Sequence, residues 1–147
     1  MATFINQLVW WLFFTSPFSF IYAADALSRT DAPSEDVALQ SAAALLASLL
    51  IAVGTLYWRK RALVTPIQAG EIDLSIPEDQ GRAFTPYVLN IVLSAAVAVF
   101  GIALTLRSSV SGYAYAFGVA SMILMYVHRP NAPDLEPPES EKHSDLG

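Results

Sequence analysis

The chain has 147 residues, of which 54% are hydrophobic and only 14% are charged. A soluble globular domain carries about 25% charged residues, so this composition favours an integral membrane protein. The sequence has no cysteine, which excludes disulfide scaffolds, thiolate zinc sites and iron–sulfur ligation. The net charge of −5 comes from acidic residues in the loops and tail and argues against a nucleic-acid-binding surface.

Four apolar stretches predict membrane-spanning helices, because their interiors lack Lys, Arg, Asp, Glu and His. They cover about residues 4–24, 37–58, 86–106 and 110–127. About 20 residues at a rise of about 1.5 Å each cross a hydrocarbon core of about 30 Å. The predicted fold is therefore an all-α integral membrane protein, with residues 1–129 forming four transmembrane helices as two hairpins.

The first stretch has two interpretations. Ala24-Asp25-Ala26 has the small-x-small form of a signal-peptide cleavage site, which would remove residues 1–26. However, residues 1–7 contain no Lys or Arg, and the stretch is rich in Trp and Phe rather than Leu and Ala. These two features favour a retained helix, in which Pro17 predicts a kink near the middle.

The Lys and Arg residues are unevenly divided between the two sides of the predicted bundle. Six on one side are Arg59, Lys60, Arg61, Arg82, Arg129 and Lys142, and two on the other are Arg29 and Arg107. The positive-inside rule then places residues 59–85 and both termini in the cytoplasm. This count favours a bacterial inner membrane as the location of a multi-pass protein, and several eukaryotic membranes would fit it as well.

The 59–85 connection is predicted to be a cytoplasmic loop. At its start, Trp58, Arg59, Lys60 and Arg61 combine an aromatic residue with three cations, which predicts anchors at the membrane interface. Residues 71–76 alternate polar and apolar side chains and predict a short extended segment. Residues 77–81, with the sequence PEDQG, predict a turn.

The C-terminal residues 130–147 have a composition typical of disorder. They contain four prolines among acidic residues and almost no apolar side chain. Such a segment buries too little apolar surface to offset its ordering entropy. A disordered, acidic cytoplasmic tail is therefore predicted.

Three of the predicted spans carry rows of small or polar residues at four-residue intervals. The rows are Gln40, Ala44, Ser48 and Ala52; Asn90, Ser94 and Ala98; and Gly112, Ala116 and Ala120. Lipid tails are as apolar as leucine, so membrane helices associate through close van der Waals contact and interhelical hydrogen bonds. The rows are therefore the predicted helix-packing or partner interfaces. Gln40 and Asn90 have a second interpretation, as pore-lining or ligand-binding groups.

The sequence contains no recognisable catalytic or metal-binding motif. It has no HExxH sequence, no Gly-rich phosphate loop and no Ser–His–acid set. Its two histidines are His128, at the end of the fourth span, and His143, in the tail, so a bis-imidazole haem site within the spans is not expected. We therefore predict no catalytic residue, no cofactor and no metal site.

These features favour a non-catalytic accessory or assembly subunit of a larger membrane protein complex. Its predicted partners are the lipid bilayer and other membrane protein subunits, and not nucleic acid. The alternative is a small homo-oligomeric transporter or channel, in which Gln40, Asn90 and Thr105 line a polar path. Proton coupling is disfavoured because no span contains a carboxylate, and a membrane enzyme is the least favoured hypothesis.

Overall fold

The computed structural model describes residues 2–27, 37–130 and 132–135. Within these ranges every regular element is helical, which confirms the all-helical prediction for this part of the chain. The elements in chain order are α1 (Ala2–Leu27), α2 (Val37–Arg59), a π-helical segment (Lys60–Val64), α3 (Thr65–Gln68), α4 (Pro77–Ser108), α5 (Gly112–Val127) and a 3-10 turn (Pro133–Leu135).

Two continuous helical stretches are long and apolar enough to cross a membrane. Val37–Gln68, which joins α2 to the π-helical segment and α3, and Pro77–Ser108, which is α4, have 32 residues each. α5 is apolar but has 16 residues, and α1 owes much of its apolar character to aromatic side chains. The four-span prediction is thus supported by length and composition for two helices.

The predicted 59–85 loop is largely helical, and two of its predicted local structures are wrong. Residues 77–81 form the first turn of α4, with Pro77 at the start and Glu78 and Asp79 in the first turn. Proline has the backbone angle of a first helical residue, and acidic side chains complement the positive end of the helix dipole. Residues 71–76 are a turn rather than an extended segment, because the Ile76 amide donates to the Asp73 carbonyl at 3.0 Å.

α4 is the central helix of the bundle. It packs against α1, α2 and α5, and α1 also packs against α5. The substantial interhelical contacts of α2 are with α4 alone. A short connection joins α4 to α5, in which Ser109 adopts a left-handed conformation with φ of 55°. The predicted pairing of these two helices as antiparallel neighbours is confirmed.

The largest apolar cluster lies at one end of the bundle, which we call the Arg59 end. Its buried residues come from α1, the segment after α2, the first half of α4 and the C-terminal turn: Trp10, Leu63, Val64, Ile67, Ala83, Tyr87, Ile91, Ala132 and Leu135. Two hydrogen bonds fix α1 there. The Trp10 indole donates to the Met125 carbonyl at 2.8 Å, and the Tyr87 hydroxyl donates to the Asn6 carbonyl at 3.3 Å.

Candidate functional site

α2 is the least covered of the long helices. No residue in its most apolar 18-residue stretch is buried, whereas 44% of the corresponding stretch of α4 is buried. Its large exposed side chains are 44–77% accessible: Leu39, Leu45, Leu46, Leu49, Leu50, Val53 and Leu56. A continuous apolar face of this extent marks a protein or membrane contact surface.

An open groove separates α2 from α5 and lies over α4. It has a volume of about 640 Å³ and is lined by Leu45, Leu46, Ser48, Leu49, Ala52, Val97, Ala120, Ile123 and Leu124. The only polar side chain in this lining is Ser48, and its hydroxyl already donates to the Ala44 carbonyl at 2.8 Å. We call this surface the α2–α5 groove; its chemistry suits an apolar helix and offers nothing to a polar ligand.

The row of small residues on α4 lies inside the chain. Asn90, Ser94 and Ala98 are each at most 2% exposed. The Ser94 hydroxyl donates to the Asn90 carbonyl at 2.7 Å, and the Ser121 hydroxyl of α5 donates to the Ser94 carbonyl at 2.8 Å. This row therefore packs the bundle itself. The Asn90 side-chain amide is buried without a hydrogen-bond partner among the described residues.

The predicted row on α5 lies on the opposite face from the one that packs. Gly112, Ala116 and Ala120 are exposed. The residues of α5 that are buried in the bundle are Ala114, Phe117, Gly118, Ser121 and Met125. The predicted row is thus free for an external contact, and Ala120 already forms part of the α2–α5 groove.

The row on α2 is half-buried where α2 meets α4. Ala44 packs against the apolar cluster that includes Val97, Leu104 and Phe117, while Ser48 and Ala52 line the α2–α5 groove. Gln40 and Ala44 also line a smaller depression of about 180 Å³ that Arg107 borders. The Gln40 side-chain oxygen is buried without a hydrogen-bond partner among the described residues.

Gly101 on α4, which is outside the predicted rows, lies where the backbones of α4 and α5 approach each other closely. A Cβ atom at this position would lie 2.7 Å from the Phe117 Cβ and 2.8 Å from the Tyr113 carbonyl oxygen. Only glycine therefore permits this approach of the two helices. The position of Gly101 in the sequence could have indicated this contact, because Gly101 continues the helix face that contains Ser94 and Ala98.

The predicted interface anchors differ from one another in their surroundings. Trp58, Lys60 and Arg61 are exposed, as a membrane-interface position requires. Arg59 is only 7% exposed, and both of its terminal nitrogens bind Asp134, with Nη2 2.7 Å from Oδ1. The Arg59 guanidinium lowers the pKa of the Asp134 carboxyl below its ordinary value.

This ion pair holds part of the predicted disordered tail in place. Ala132 and Leu135 are buried against the Arg59 end, so the prediction of disorder is wrong for residues 132–135. Leu135 is buried in the apolar cluster, and Asp134 pairs with Arg59. The overall composition of the tail did not indicate either contact. The predicted disorder of residues 136–147 lies outside the described residues.

His128 follows α5 and is 1% exposed. Neither ring nitrogen has a hydrogen-bond partner in the part of the chain that the structure describes. Burial, and secondarily the positive charge of Arg59, lowers the pKa of His128 to about 4. The imidazole is therefore neutral at physiological pH.

Among the described residues, no three His, Asp or Glu side chains come together in a way that would hold a metal ion. The comparisons place the chain in no known group: no family model, no curated protein and no solved structure matches it. The candidate functional surfaces are the α2–α5 groove and a pocket at the Arg59 end, which we call the Arg59 pocket. Leu63, Ile67 and Tyr87 line this pocket beside Leu135, and Arg59 pairs with Asp134 next to it.

Proposed function

We propose that this chain is a non-catalytic accessory or assembly subunit of a larger membrane protein complex, and that a transmembrane helix of another subunit occupies the α2–α5 groove. The observation that carries the proposal is the apolar groove itself, with two helical walls and a floor formed by Val97 of α4. α2 has substantial contacts with α4 alone, which leaves most of its apolar surface for a partner or for lipid.

The small side chains in the groove favour a helix over lipid tails as its occupant. Helices in a bilayer gain little hydrophobic free energy from association and depend on close backbone approach. Ser48 and Ala52 on one wall and Ala120 on the other permit such an approach, whereas a smooth leucine surface would be equally well solvated by lipid. Three of the residues predicted for partner contact, Ser48 and Ala52 on α2 and Ala120 on α5, thus meet at one groove.

In the proposed topology, all four long helices cross the bilayer and both termini are cytoplasmic in a bacterial inner membrane. The π-helical segment and α3 extend the second span beyond the membrane interface, where Lys60 and Arg61 are exposed. α1 belongs to the bundle in this proposal, because Trp10 binds the α5 backbone and Ile21 packs beside Gly118. These contacts support a retained helix over a cleaved signal peptide.

The contacts of Thr105 weaken the transporter alternative. The Thr105 hydroxyl donates to the Val110 carbonyl at 3.2 Å and accepts from the Ala114 amide at 3.0 Å. It therefore stabilises the turn between α4 and α5 instead of facing a transported solute. Asn90 is 1% exposed between packed helices, so its side chain does not face a path that is open to a solute.

Ala120→Phe tests the groove, with Val119→Phe as the matched control. Ala120 lines the groove, whereas Val119 is 48% exposed and is outside that lining. Filling the groove costs about 1–3 kcal/mol of partner packing, and each 1.4 kcal/mol reduces association about tenfold. We expect Ala120→Phe to reduce association with the partner subunit by about 5- to 100-fold, with Val119→Phe unchanged.

Equal recovery of the partner with both variants would contradict the assignment of the groove. Ala98 is unsuitable for this test because it is 2% exposed inside the bundle. A bulky residue there would disturb the fold of the chain before any partner contact. Recovery of the chain alone, in a particle that supports solute flux in liposomes, would favour the homo-oligomeric transporter.

A further inference from the structure

The C-terminal turn occupies a pocket at the Arg59 end. Ala132 and Leu135 are 6% and 9% exposed and pack in the apolar cluster that contains Leu63, Ile67 and Tyr87. The Leu135 amide donates to the Ala132 carbonyl at 2.9 Å, which closes a compact turn. The segment thus presents one acidic side chain, Asp134, and two apolar side chains, Ala132 and Leu135, to the bundle, in the manner of a bound peptide.

The pocket requires a carboxylate. Arg59 is nearly buried, and Asp134 is its sole ion-pair partner in the part of the chain that the structure describes. A guanidinium that is buried without a counter-charge carries a large desolvation penalty. Two parallel N–H···O bonds also fix the direction of the carboxylate. The Arg59 position therefore selects for an acidic residue at this point of the ligand.

The pocket is larger than the segment that fills it. A cavity of about 40 Å³ remains beside Leu135, bordered by Asn6, Leu63 and Tyr87 among others. An open groove of about 400 Å³ continues from Leu135 along residues 67–75. The Asp134 side chain remains 41% exposed, so the ion pair is accessible to a competing carboxylate from solution.

We propose that this pocket is a binding site for a short, turn-forming segment in which a carboxylate residue directly precedes an apolar residue. The chain's own Asp134-Leu135 is the resident ligand, and a segment of the same chemistry from a partner subunit displaces it. The identity of that segment as part of a partner rests on the proposed accessory function. Binding at the pocket itself does not.

The short link between α5 and Asp134 limits the displacement of the resident segment by a free peptide. Only five residues separate His128 from Asp134, and a short tether gives an effective concentration of about millimolar. A free segment therefore competes poorly with the intact chain and binds well only when the resident ligand is weakened. The sequence contains the same dipeptide at Asp145-Leu146, so the test below changes Leu146 as well.

The test uses a labelled peptide of residues 130–137 and the full-length chain in nanodiscs. The released variant combines Asp134→Asn, Leu135→Ser and Leu146→Ser. We expect it to bind the peptide at least tenfold more tightly than the wild-type chain does, by fluorescence anisotropy. Adding Arg59→Gln to the released variant, or changing the peptide's own aspartate to asparagine, removes this binding.

A second measurement leaves the resident segment intact. The chain has no native cysteine, so Ser140→Cys provides a single labelling site next to that segment. Saturating wild-type peptide is expected to increase the mobility of the label, whereas the asparagine peptide does not. Absence of binding to a released variant that still unfolds in a cooperative thermal transition, together with no change in label mobility, would overturn the proposal. Neither result depends on whether a partner subunit co-purifies with the chain.

Discussion

Replacing Gly101 with alanine tests the close approach of α4 and α5 at this glycine. The added Cβ atom would lie 2.7 Å from the Phe117 Cβ, 2.8 Å from the Tyr113 carbonyl oxygen and 3.2 Å from the Ala114 Cα. Optimal separations between non-bonded carbon atoms are about 3.5–4.0 Å. Two of the three neighbouring atoms belong to the α5 backbone and cannot rotate away, so α4 and α5 must separate.

The expected magnitude follows from two opposing terms. Overpacking at an interior contact costs about 1–3 kcal/mol, and replacing glycine by alanine within a helix returns up to about 1 kcal/mol. We therefore expect a net loss of about 1–2 kcal/mol. For a chain of this length each kcal/mol corresponds to about 2–4 °C, so the melting temperature falls by about 2–8 °C.

Two other glycines of the chain provide matched controls. A Cβ atom at Gly54 meets nothing within 4 Å, and a Cβ atom at Gly118 meets only the flexible Ile21 side chain, at 2.8 Å. Gly54→Ala is expected to leave the melting temperature unchanged or to raise it, because the unfolded chain loses entropy. Gly118→Ala is expected to fall between Gly54→Ala and Gly101→Ala.

Thermal unfolding in detergent, followed by tryptophan fluorescence, measures all three variants under one condition. The reasoning requires the order Gly54→Ala, Gly118→Ala, Gly101→Ala from most to least stable. A Gly101→Ala chain as stable as Gly54→Ala would show that α4 and α5 do not approach closely at this point. The predicted α4–α5 packing would then be refuted.

Three further predictions use the same assay. Trp10→Phe removes a buried hydrogen bond to the α5 backbone and should cost about 1–2 kcal/mol, whereas Trp11→Phe, at a side chain 57% exposed, should change stability by less than about 0.5 kcal/mol. A comparable loss in both would contradict this docking of α1. Arg59→Gln should destabilise the chain by about 1–2 kcal/mol, because its carboxylate partner keeps some solvent contact, while Arg61→Gln, which is exposed, should have no measurable effect. The lowered pKa of His128, about 4 against an ordinary 6.5, means that the unfolded state takes up the proton first. Stability should therefore fall by about 3 kcal/mol as the pH decreases from 6.5 to 4, and His128→Phe should flatten that part of the profile; an unchanged profile in the variant would refute the assignment.

The helices that carry the fold could be predicted from apolar stretches, but their ends could not. Pro77, Glu78 and Asp79 are typical both of a turn and of a helix N-terminus. The choice between the two depends on the residues beyond them, and Ala83 and Tyr87 are buried one and two turns later. Because α4 begins at Pro77, it buries these two side chains against the bundle. This stabilisation arises only in the folded protein.

The face that a helix buries was predictable on α4 and not on α5. On α4 the polar side chains of Asn90 and Ser94 lie four residues apart in an otherwise apolar stretch, so they mark one face of the helix. On α5 nearly every residue is small or apolar, so no polar face opposes an apolar one and the sequence indicates no direction. The face of α5 that packs into the bundle is instead determined by long-range contacts, such as the hydrogen bond from Trp10 to Met125.

No local feature of the sequence predicts the Arg59 pocket. The 59–61 cations form one basic run, and a membrane-interface role explains all three. Arg59 differs from its neighbours only because Asp134, 75 residues later in the chain, pairs with it. A lone apolar residue in an acidic, proline-rich tail has no periodicity, so Leu135 could be assigned only from the fold.

The proposed accessory function is tested most directly by the native mass of the tagged chain after extraction from its own membrane in a mild detergent. One copy of the chain has a mass of 15.9 kDa. The proposal predicts a particle that contains at least one different, stoichiometric membrane subunit, which Ala120→Phe releases and Val119→Phe retains. A particle built only from copies of the 15.9 kDa chain would contradict the proposal.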